Sequence, residues 1–198
     1  FLIFPIFYMV EYQQLSRRRS RLAVSAVFFA YGLTFASWAS RIPTIQQSLN
    51  ISDGILGLVL FSLPAGLFLC LPFSGWIINH FGSKKVVIVS GLIYTLLLLV
   101  IGLAQNLSQL ISVLFMFGFF SNLLNIAVNT QAAGVEANYE KPIMASFHGM
   151  WSLAGFAGAA IGTVMMGYGI TPAYHFLLIL MLMLIIIALS NGSLMQED

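Results

Sequence analysis

Residues 86–104 read VVIVSGLIYTLLLLVIGLA, an apolar run that contains no charged side chain. A helix crosses the hydrocarbon core of a bilayer with about 20 mostly apolar residues, at a rise of about 1.5 Å per residue. In lipid, every backbone N–H and C=O group must be paired within its own segment, so this run predicts a membrane-spanning helix. Five further stretches of the same kind are found at residues 22–40, 55–78, 110–133, 143–167 and 173–190. The sequence therefore predicts an all-α integral membrane protein with six transmembrane helices.

The composition of the 198-residue chain agrees with this fold class. Hydrophobic residues make up 60% of the chain, charged residues make up 7%, and the mean hydropathy is +0.96. Soluble domains carry about 25% charged residues. The only cysteine is Cys70, and a single cysteine cannot form an intrachain disulfide. The patterns H-E-x-x-H and G-x-S-x-G and any Cys/His ligand cluster are missing, so we expect no enzyme activity, metal, cofactor or nucleic-acid partner.

Charges in the loops predict the orientation in the membrane. If the helices alternate in direction, only Arg41 lies on one side of them. The other seven basic residues then share the opposite side: Arg17, Arg18, Arg19, Arg21, Lys84, Lys85 and Lys141. Because loops rich in Lys and Arg stay in the cytoplasm, we expect both termini to be cytoplasmic. The expected location is the inner or plasma membrane of the cell, with the lipid bilayer as the first partner.

The two ends of the chain are predicted to lie outside the membrane. The chain begins FLIFPIFY, and its first methionine is Met9. We expect residues 1–8 to be non-native and residues 1–20 to form a cytoplasmic lead-in. Residues 21–190 then form one six-helix domain, and residues 191–198 form a cytoplasmic tail. No loop is long enough to fold as a separate domain.

The six predicted helices repeat the same order of composition. The first and fourth are polar, the second and fifth are rich in glycine, and the third and sixth are almost purely apolar. Glycine lets neighbouring helices approach closely, whereas polar side chains must face partners or water because bare polar groups are costly in hydrocarbon. We therefore predict two three-helix repeats, an arrangement typical of transporters.

Carboxamide side chains form a stripe on the fourth helix. At about 100° per residue, Asn122, Asn125, Asn129 and Glu136 fall within an arc of roughly 60°, whereas Gln131 points the opposite way. The stripe is either the wall of a cavity for a polar solute, since amides both donate and accept hydrogen bonds, or a contact that joins helices. Three asparagines on one face favour the water-lined wall.

The first helix carries a matching stripe, in which Tyr31, Thr34, Trp38 and Arg41 fall within an arc of roughly 80°. Tyr and Trp can stack on a sugar and form hydrogen bonds at their tips, or they can form an aromatic belt at the membrane interface. Arg41 stands at the outer mouth, where it acts either as an anchor that reaches the headgroups or as a clamp on a ligand.

Histidine marks the fifth helix, where His148 and Trp151 share a face. His148 either carries a coupling proton, because histidine titrates near neutral pH, or lies among the lipid headgroups. His80 and His175 are at helix ends, where we expect them to face water. The predicted substrate cavity consists of Tyr31, Thr34, Trp38, Asn122, Asn125, Asn129, His148 and Trp151.

The loop between the second and third helices reads GWIINHFGSKK at residues 75–85. It resembles the signature loop of the major facilitator superfamily, which has a glycine, an acidic and a basic residue, a second glycine and a basic cluster. Gly75, Gly82, Lys84 and Lys85 match this pattern, and Asn79 stands in place of the acidic residue. We assign these five residues to a gating loop.

Further segments are similar to one branch of that superfamily, the fucose-permease-like or sugar-permease-like transporters. They are ASRIP at 39–43, SDGILG at 52–57, NIAVNTQ at 125–131 and SFHGMWS at 146–152. The resemblance implies transport of a small polar solute, a sugar or a sugar-like molecule, by alternating access. Fucose permeases couple protons through acidic residues on the first and fourth helices, whereas the corresponding helix interiors here offer asparagines.

The resemblance also assigns a role to each helix. The first and fourth line a central cavity, the second and fifth rock at the domain interface, and the third and sixth support them from outside. Six helices correspond to the amino-terminal half of the twelve-helix fold. The resemblance therefore implies a second six-helix half as partner, from the same gene, a separate chain or a homodimer. In the family, the acidic and basic residues of the loop form a latch, and Asn79 cannot supply that charge.

Two other functions remain open from the sequence. One alternative is that the chain is an inactive truncated remnant or an assembly partner. The other is that it is a six-helix intramembrane enzyme, for which His148 is the sole candidate base.

Overall fold

The computed structural model describes the backbone of residues 3–196 and the side chains of residues 16–196. In that part of the chain all regular structure is helical, without strands. The six helices are α1 (Ile3–Ser48), α2 (Asp53–Phe81), α3 (Ser83–Gly102), α4 (Leu107–Glu136), α5 (Met144–Gly167) and α6 (Pro172–Ser190). Each is long and apolar enough to cross a membrane, which confirms the predicted fold class.

The bounds of α2 to α6 agree with the predicted spans to within about three residues, but α1 is longer than predicted. It begins at Ile3 and continues past its predicted end, through Pro43, to Ser48. Polar residues end the apolar run, but the helix continues through them. It ends at Ser48, two residues before Asn50, whose φ of 51° is left-handed. The side chains of residues 1–8 lie outside the described residues, and the expectation that these residues are non-native stays a prediction.

Helix packing follows the predicted repeat. α1 packs mainly against α5, and α2 packs in the same way against α4. α6 packs on α1 as α3 packs on α4, and α3 and α6 contact each other. Exchanging the first three helices for the last three therefore reproduces the main contacts, as expected for two three-helix repeats.

Glycines let the paired helices approach at backbone distance. A Cβ atom at Gly66 of α2 would overlap the carbonyl group of Phe115 in α4. A Cβ atom at Gly158 of α5 would lie 2.6 Å from the Cβ of Ala36 in α1. The glycine-rich character of the second and fifth helices thus has the same physical origin, a close crossing with a polar helix.

Large apolar side chains remain exposed on α2 and α5. In the most apolar 18-residue stretch of each helix, only 22% of the residues of α2 and 17% of those of α5 are buried. Phe61, Phe68 and Trp76 on α2 and Phe156 on α5 are each more than 60% exposed. Apolar surface of this extent requires lipid or another protein against it.

Basic residues gather at one end of the bundle. The hydroxyl group of Tyr139, after α4, donates to the Arg17 carbonyl at 3.3 Å. The Arg21 guanidinium donates to the Ser146 hydroxyl at 3.3 Å and lies 5.5 Å from the centre of the Tyr139 ring. Lys84, at the start of α3, borders the residues that follow α6. We call this end, where α1, α3 and α5 enter the bundle, the basic end.

Candidate functional site

Polar side chains of α1 and α4 meet inside the bundle. The Asn125 amide donates from Nδ2 to the Tyr31 hydroxyl oxygen at 3.2 Å. The Tyr31 hydroxyl also lies 3.4 Å from Oγ of Ser121. Asn129 Nδ2 donates to Oδ1 of Asn125 at 2.7 Å and to the Asn125 carbonyl at 2.8 Å. We call Tyr31, Ser121, Asn125 and Asn129 the polar network.

Helix geometry places Tyr31 and Ser121 near the middle of their helices, with Asn125 and Asn129 one and two turns further along α4. Tyr31 is midway along the apolar part of α1, Ser16–Ser48. Ser121, Asn125 and Asn129 are spaced four residues apart on α4, so they share one face. Asn125 and Asn129 are half-buried, which leaves part of each amide open. Polar groups at this depth are costly, and they commonly mark a solute or ion pathway.

Aromatic rings of α5 extend the network on one side. The Trp151 ring centroid lies 6.4 Å from that of Tyr31, and Trp151 is 37% exposed. His148, which is exposed, contacts the ring of Phe28 edge-on at 5.4 Å. Trp151 thus lies beside Tyr31 of the polar network, where it offers an aromatic surface suited to stacking on a ring, whereas His148 packs on Phe28 of the same helix as Tyr31.

Three other predicted cavity residues point away from the open part of the network. The Thr34 hydroxyl is fully buried and donates to the Ala30 carbonyl at 2.8 Å. Trp38 is 3% exposed. Asn122 is 9% exposed and donates to the Leu67 carbonyl of α2 at 3.5 Å. In this conformation these side chains contribute to packing between helices.

Arg41 is buried and bound to the start of α6. It is 1% exposed, and its Nε donates to Nδ1 of His175 at 3.2 Å. Its Nη2 donates to the Ile170 carbonyl, in the loop before α6, at 2.8 Å. The guanidinium is therefore held by protein groups in this state. The prediction that His175 faces water was wrong, because the side chain is fully buried beneath Arg41, whereas His80 is exposed as predicted.

The predicted gating loop lies at the basic end, apart from the polar network. Gly75 and Asn79 are exposed on the last turns of α2. Gly82 alone separates α2 from α3, and its φ of +78° favours glycine at this position. Lys84 is half-exposed and Lys85 exposed on the first turn of α3. The chain thus turns sharply from α2 into α3 at Gly82, and Lys84 and Lys85 follow the turn.

The sequence interpretation missed Tyr94, which belongs with the site. Tyr94 is fully buried, stacks on Phe117 with ring centroids 4.3 Å apart, and lies 5.7 Å from the Tyr31 ring. It lies in the almost purely apolar third helix, which the family resemblance assigned to support the cavity-lining helices from outside. A single tyrosine in the middle of an otherwise aliphatic span was the available signal, because a polar hydroxyl is costly in hydrocarbon and is expected to turn into the bundle.

Glu136, which belongs to the carboxamide stripe of α4, has a structural role. Its carboxylate accepts hydrogen bonds from the backbone amides of Ile143 at 2.6 Å and Met144 at 2.5 Å. These amides begin α5, so the carboxylate caps a helix whose preceding residue offers no side-chain cap. Among the side chains at 16–196, no group of three His, Cys, Asp or Glu residues could hold a metal ion.

Comparison with known proteins identifies the relatives of this chain. The sequence model described as Major Facilitator Superfamily matches residues 5–191. The chain is 32% identical over 155 residues to an uncharacterized transporter of Sinorhizobium fredii, y4wD, covering 78% of the chain and 41% of the relative. It is 27% identical over 176 residues to an uncharacterized MFS-type transporter of Yersinia pestis, covering 89% and 46%.

A third relative has the same partial coverage. The membrane protein MosC of Rhizobium meliloti is 32% identical over 136 residues, which cover 69% of the chain and 33% of the relative. The chain spans less than half the length of the curated relatives it matches.

Proposed function

This chain belongs to the major facilitator superfamily, a family of membrane transporters and not of enzymes, and we propose that it forms the amino-terminal half of a secondary transporter. The solute is small, polar and uncharged, a sugar or a sugar-like molecule. It crosses the membrane by alternating access, along the face where α1 and α4 meet.

The polar network is the observation that carries this proposal. Its members are two amides and two hydroxyl groups, and none is charged. Amides and hydroxyls both donate and accept hydrogen bonds, which matches the alternating demands of a polyhydroxylated solute. Trp151, partly exposed beside Tyr31, offers a flat surface for a sugar ring. A charged solute would find no counter-charge within the network.

The helix arrangement supports alternating access with a partner. α2 and α5 flank the network and leave apolar faces exposed, and we assign these faces to contact with a second six-helix half. That half comes from the same gene, a separate chain or a second copy of this one. α3 and α6 lie outside the pair formed by α1 and α4 and support it.

The two ends of the pathway receive separate roles in this proposal. Gly75, Asn79, Gly82, Lys84 and Lys85 form the gating loop at the basic end, which faces the cytoplasm together with both termini. There Asn79 supplies a hydrogen bond instead of a charge. Arg41 lies at the opposite, outer end, and the membrane is the inner or plasma membrane of the cell.

Uptake measurements test the proposal. The chain is produced in membranes together with its second half, and uptake of a panel of neutral sugars, polyols, amino acids and organic anions is measured. We expect saturable uptake of a neutral polyhydroxylated solute, abolished by Asn125→Leu and by Asn129→Leu. The control is Asn138→Leu, because Asn138 is exposed after the end of α4 and its side chain donates to the nearby Gly134 carbonyl, away from the polar network.

Two outcomes contradict the proposal. If both network variants transport like the unmodified protein while they are expressed equally, the solute does not pass the polar network. If the transported members of the panel are all ions, the solute class is wrong. Loss of uptake in the control variant as well would indicate a folding defect, which thermal unfolding of each purified variant distinguishes.

A further inference from the structure

A groove opens at the basic end between the start of α3 and the end of α6. Its cavity volume is about 470 Å³, and it is open along one side. The lining side chains are Phe81, Lys84, Lys85, Ile88, Asn191 and Gln196. We call it the α3–α6 groove. It is separate from the polar network, whose Tyr31 and Ser121 lie near the middle of their helices.

Among the residues up to Gln196 that the structure describes, the groove is lined by positive charge and by no carboxylate. Lys84 and Lys85 contribute two ammonium groups, and Asn191 and Gln196 contribute amides that can donate hydrogen bonds. The first turn of α3 adds its positive end, and it has no side-chain cap because Gly82 precedes it. These groups are complementary to a phosphate group.

Aromatic residues place the groove at the depth of the lipid headgroups. Trp76 stacks on His80 with ring centroids 5.3 Å apart, and His80 contacts the ring of Phe81 edge-on at 4.6 Å. Trp76 is 63% exposed. Tryptophan concentrates at the membrane–water interface, so this cluster indicates that the adjoining groove lies there too.

Below the lysines the surface becomes apolar. Ile88 lines the groove one turn after Lys84, and Val89, one turn after Lys85, is 55% exposed. On the facing helix, Leu184 shares a face with the groove residue Asn191 and is 43% exposed. A ligand held at the lysines can therefore extend apolar chains along α3 and α6 into the hydrocarbon core. Free phosphate would make no use of this surface.

We propose that the α3–α6 groove binds the headgroup phosphate of an anionic phospholipid, whose acyl chains lie along α3 and α6. Basic pockets between helices at the cytoplasmic side of membrane proteins bind headgroups of this kind. Lys84 and Lys85 hold the phosphate, and Asn191 and Gln196 complete its coordination. The inference does not depend on the transported solute.

Lipid retention by the purified chain tests this site. The full chain is extracted in a mild detergent, supplied with equal amounts of phosphatidylglycerol and phosphatidylcholine, and analysed by native mass spectrometry. We expect preferential retention of phosphatidylglycerol, which falls about thirtyfold in the Lys84→Gln/Lys85→Gln double variant. The control is Lys141→Gln, because Lys141 is exposed at the same end but outside the groove.

A second variant and a competition complete the test. Lys85→Glu, at an exposed position, leaves the lining lysine and glutamate without net charge and is expected to abolish the preference for phosphatidylglycerol. Equal retention of both lipids by the unmodified chain, or undiminished phosphatidylglycerol in both variants, overturns the site. Displacement of the lipid by about 10 mM inorganic phosphate overturns the choice of a lipid over a free anion, since bound acyl chains resist such competition. Uptake plays no part in the readout, so failure here is distinguishable from failure of the transport proposal.

Discussion

Asn125 and Tyr31 connect α4 to α1 near the middle of the bundle, where the Asn125 amide donates to the Tyr31 hydroxyl oxygen at 3.2 Å. The two residues are 94 positions apart in sequence and belong to different three-helix repeats. Their contact brings the polar faces of the first and fourth helices together without an intervening helix. The proposed solute pathway passes this contact.

Removing the Tyr31 hydroxyl should weaken both the helix contact and solute binding. Tyr31→Phe keeps the ring beside Trp151 but leaves the Asn125 amide without its oxygen acceptor. We expect the free energy of unfolding to fall by about 1 kcal/mol and the KM for uptake to rise about fivefold. Thermal unfolding and concentration-dependent uptake measure the two effects. Tyr168→Phe is the control, since Tyr168 is 82% exposed, and an unchanged KM in Tyr31→Phe would remove the hydroxyl from the binding site.

Close packing of α1 against α5 should depend on glycine at position 158. Gly158→Ala would place a methyl group 2.6 Å from the Cβ of Ala36, whereas the methyl of Gly155→Ala would meet no atom within 4 Å. We expect the first substitution to lower the free energy of unfolding by about 1–3 kcal/mol through overpacking. The second should be neutral or slightly stabilising, because alanine favours helix over glycine. Equal denaturation midpoints of the two variants would show that α1 and α5 do not pack as described.

The buried Arg41 should require His175. His175→Phe preserves a ring of similar size but removes the nitrogen that accepts the Arg41 Nε proton at 3.2 Å. A hydrogen bond from a charged donor contributes about 1.5–3 kcal/mol, so we expect a loss of that size in the free energy of unfolding. His80→Phe provides the matched control, because His80 is exposed at the other end of the protein. If both variants unfold at the same temperature, the contact between Arg41 and His175 does not stabilise the bundle.

The fold could be predicted from the sequence because the apolar composition of each segment determines that it forms a membrane-spanning helix. The run at 86–104 has no alternative to a spanning helix, and the order of polar, glycine-rich and apolar helices reports which neighbours each one has. The sequence placed Asn125 and Tyr31 on the polar faces of the fourth and first helices but favoured a water-lined wall over a contact between helices. The direct hydrogen bond between them appears only in the coordinates.

Other features required coordinates because they depend on rotations that sequence does not fix. Thr34 and Trp38 lie within one polar arc with Tyr31, yet both are buried by packing, and the Thr34 hydroxyl donates to the Ala30 carbonyl of its own helix. Arg41 turns toward α6 because His175, 134 residues later, provides an acceptor there. Periodicity assigns residues to a face of a helix, but only packing decides what that face meets.

Water access to the α4 face tests the central claim most directly. Cys70, the single cysteine, is buried and is replaced by alanine to give a cysteine-free background. Asn125→Cys and Asn129→Cys are then exposed, in membranes that contain the chain and its second half, to a membrane-impermeant thiosulfonate that reacts with the thiolate in water. Leu184→Cys, at a position that is 43% exposed on α6, reports a lipid-facing site, and Asn138→Cys reports a site in water. The account predicts that both asparagine positions react as Asn138→Cys does while Leu184→Cys stays unmodified. If Asn138→Cys reacts but neither asparagine position does from either side of the membrane, no aqueous pathway runs between α1 and α4.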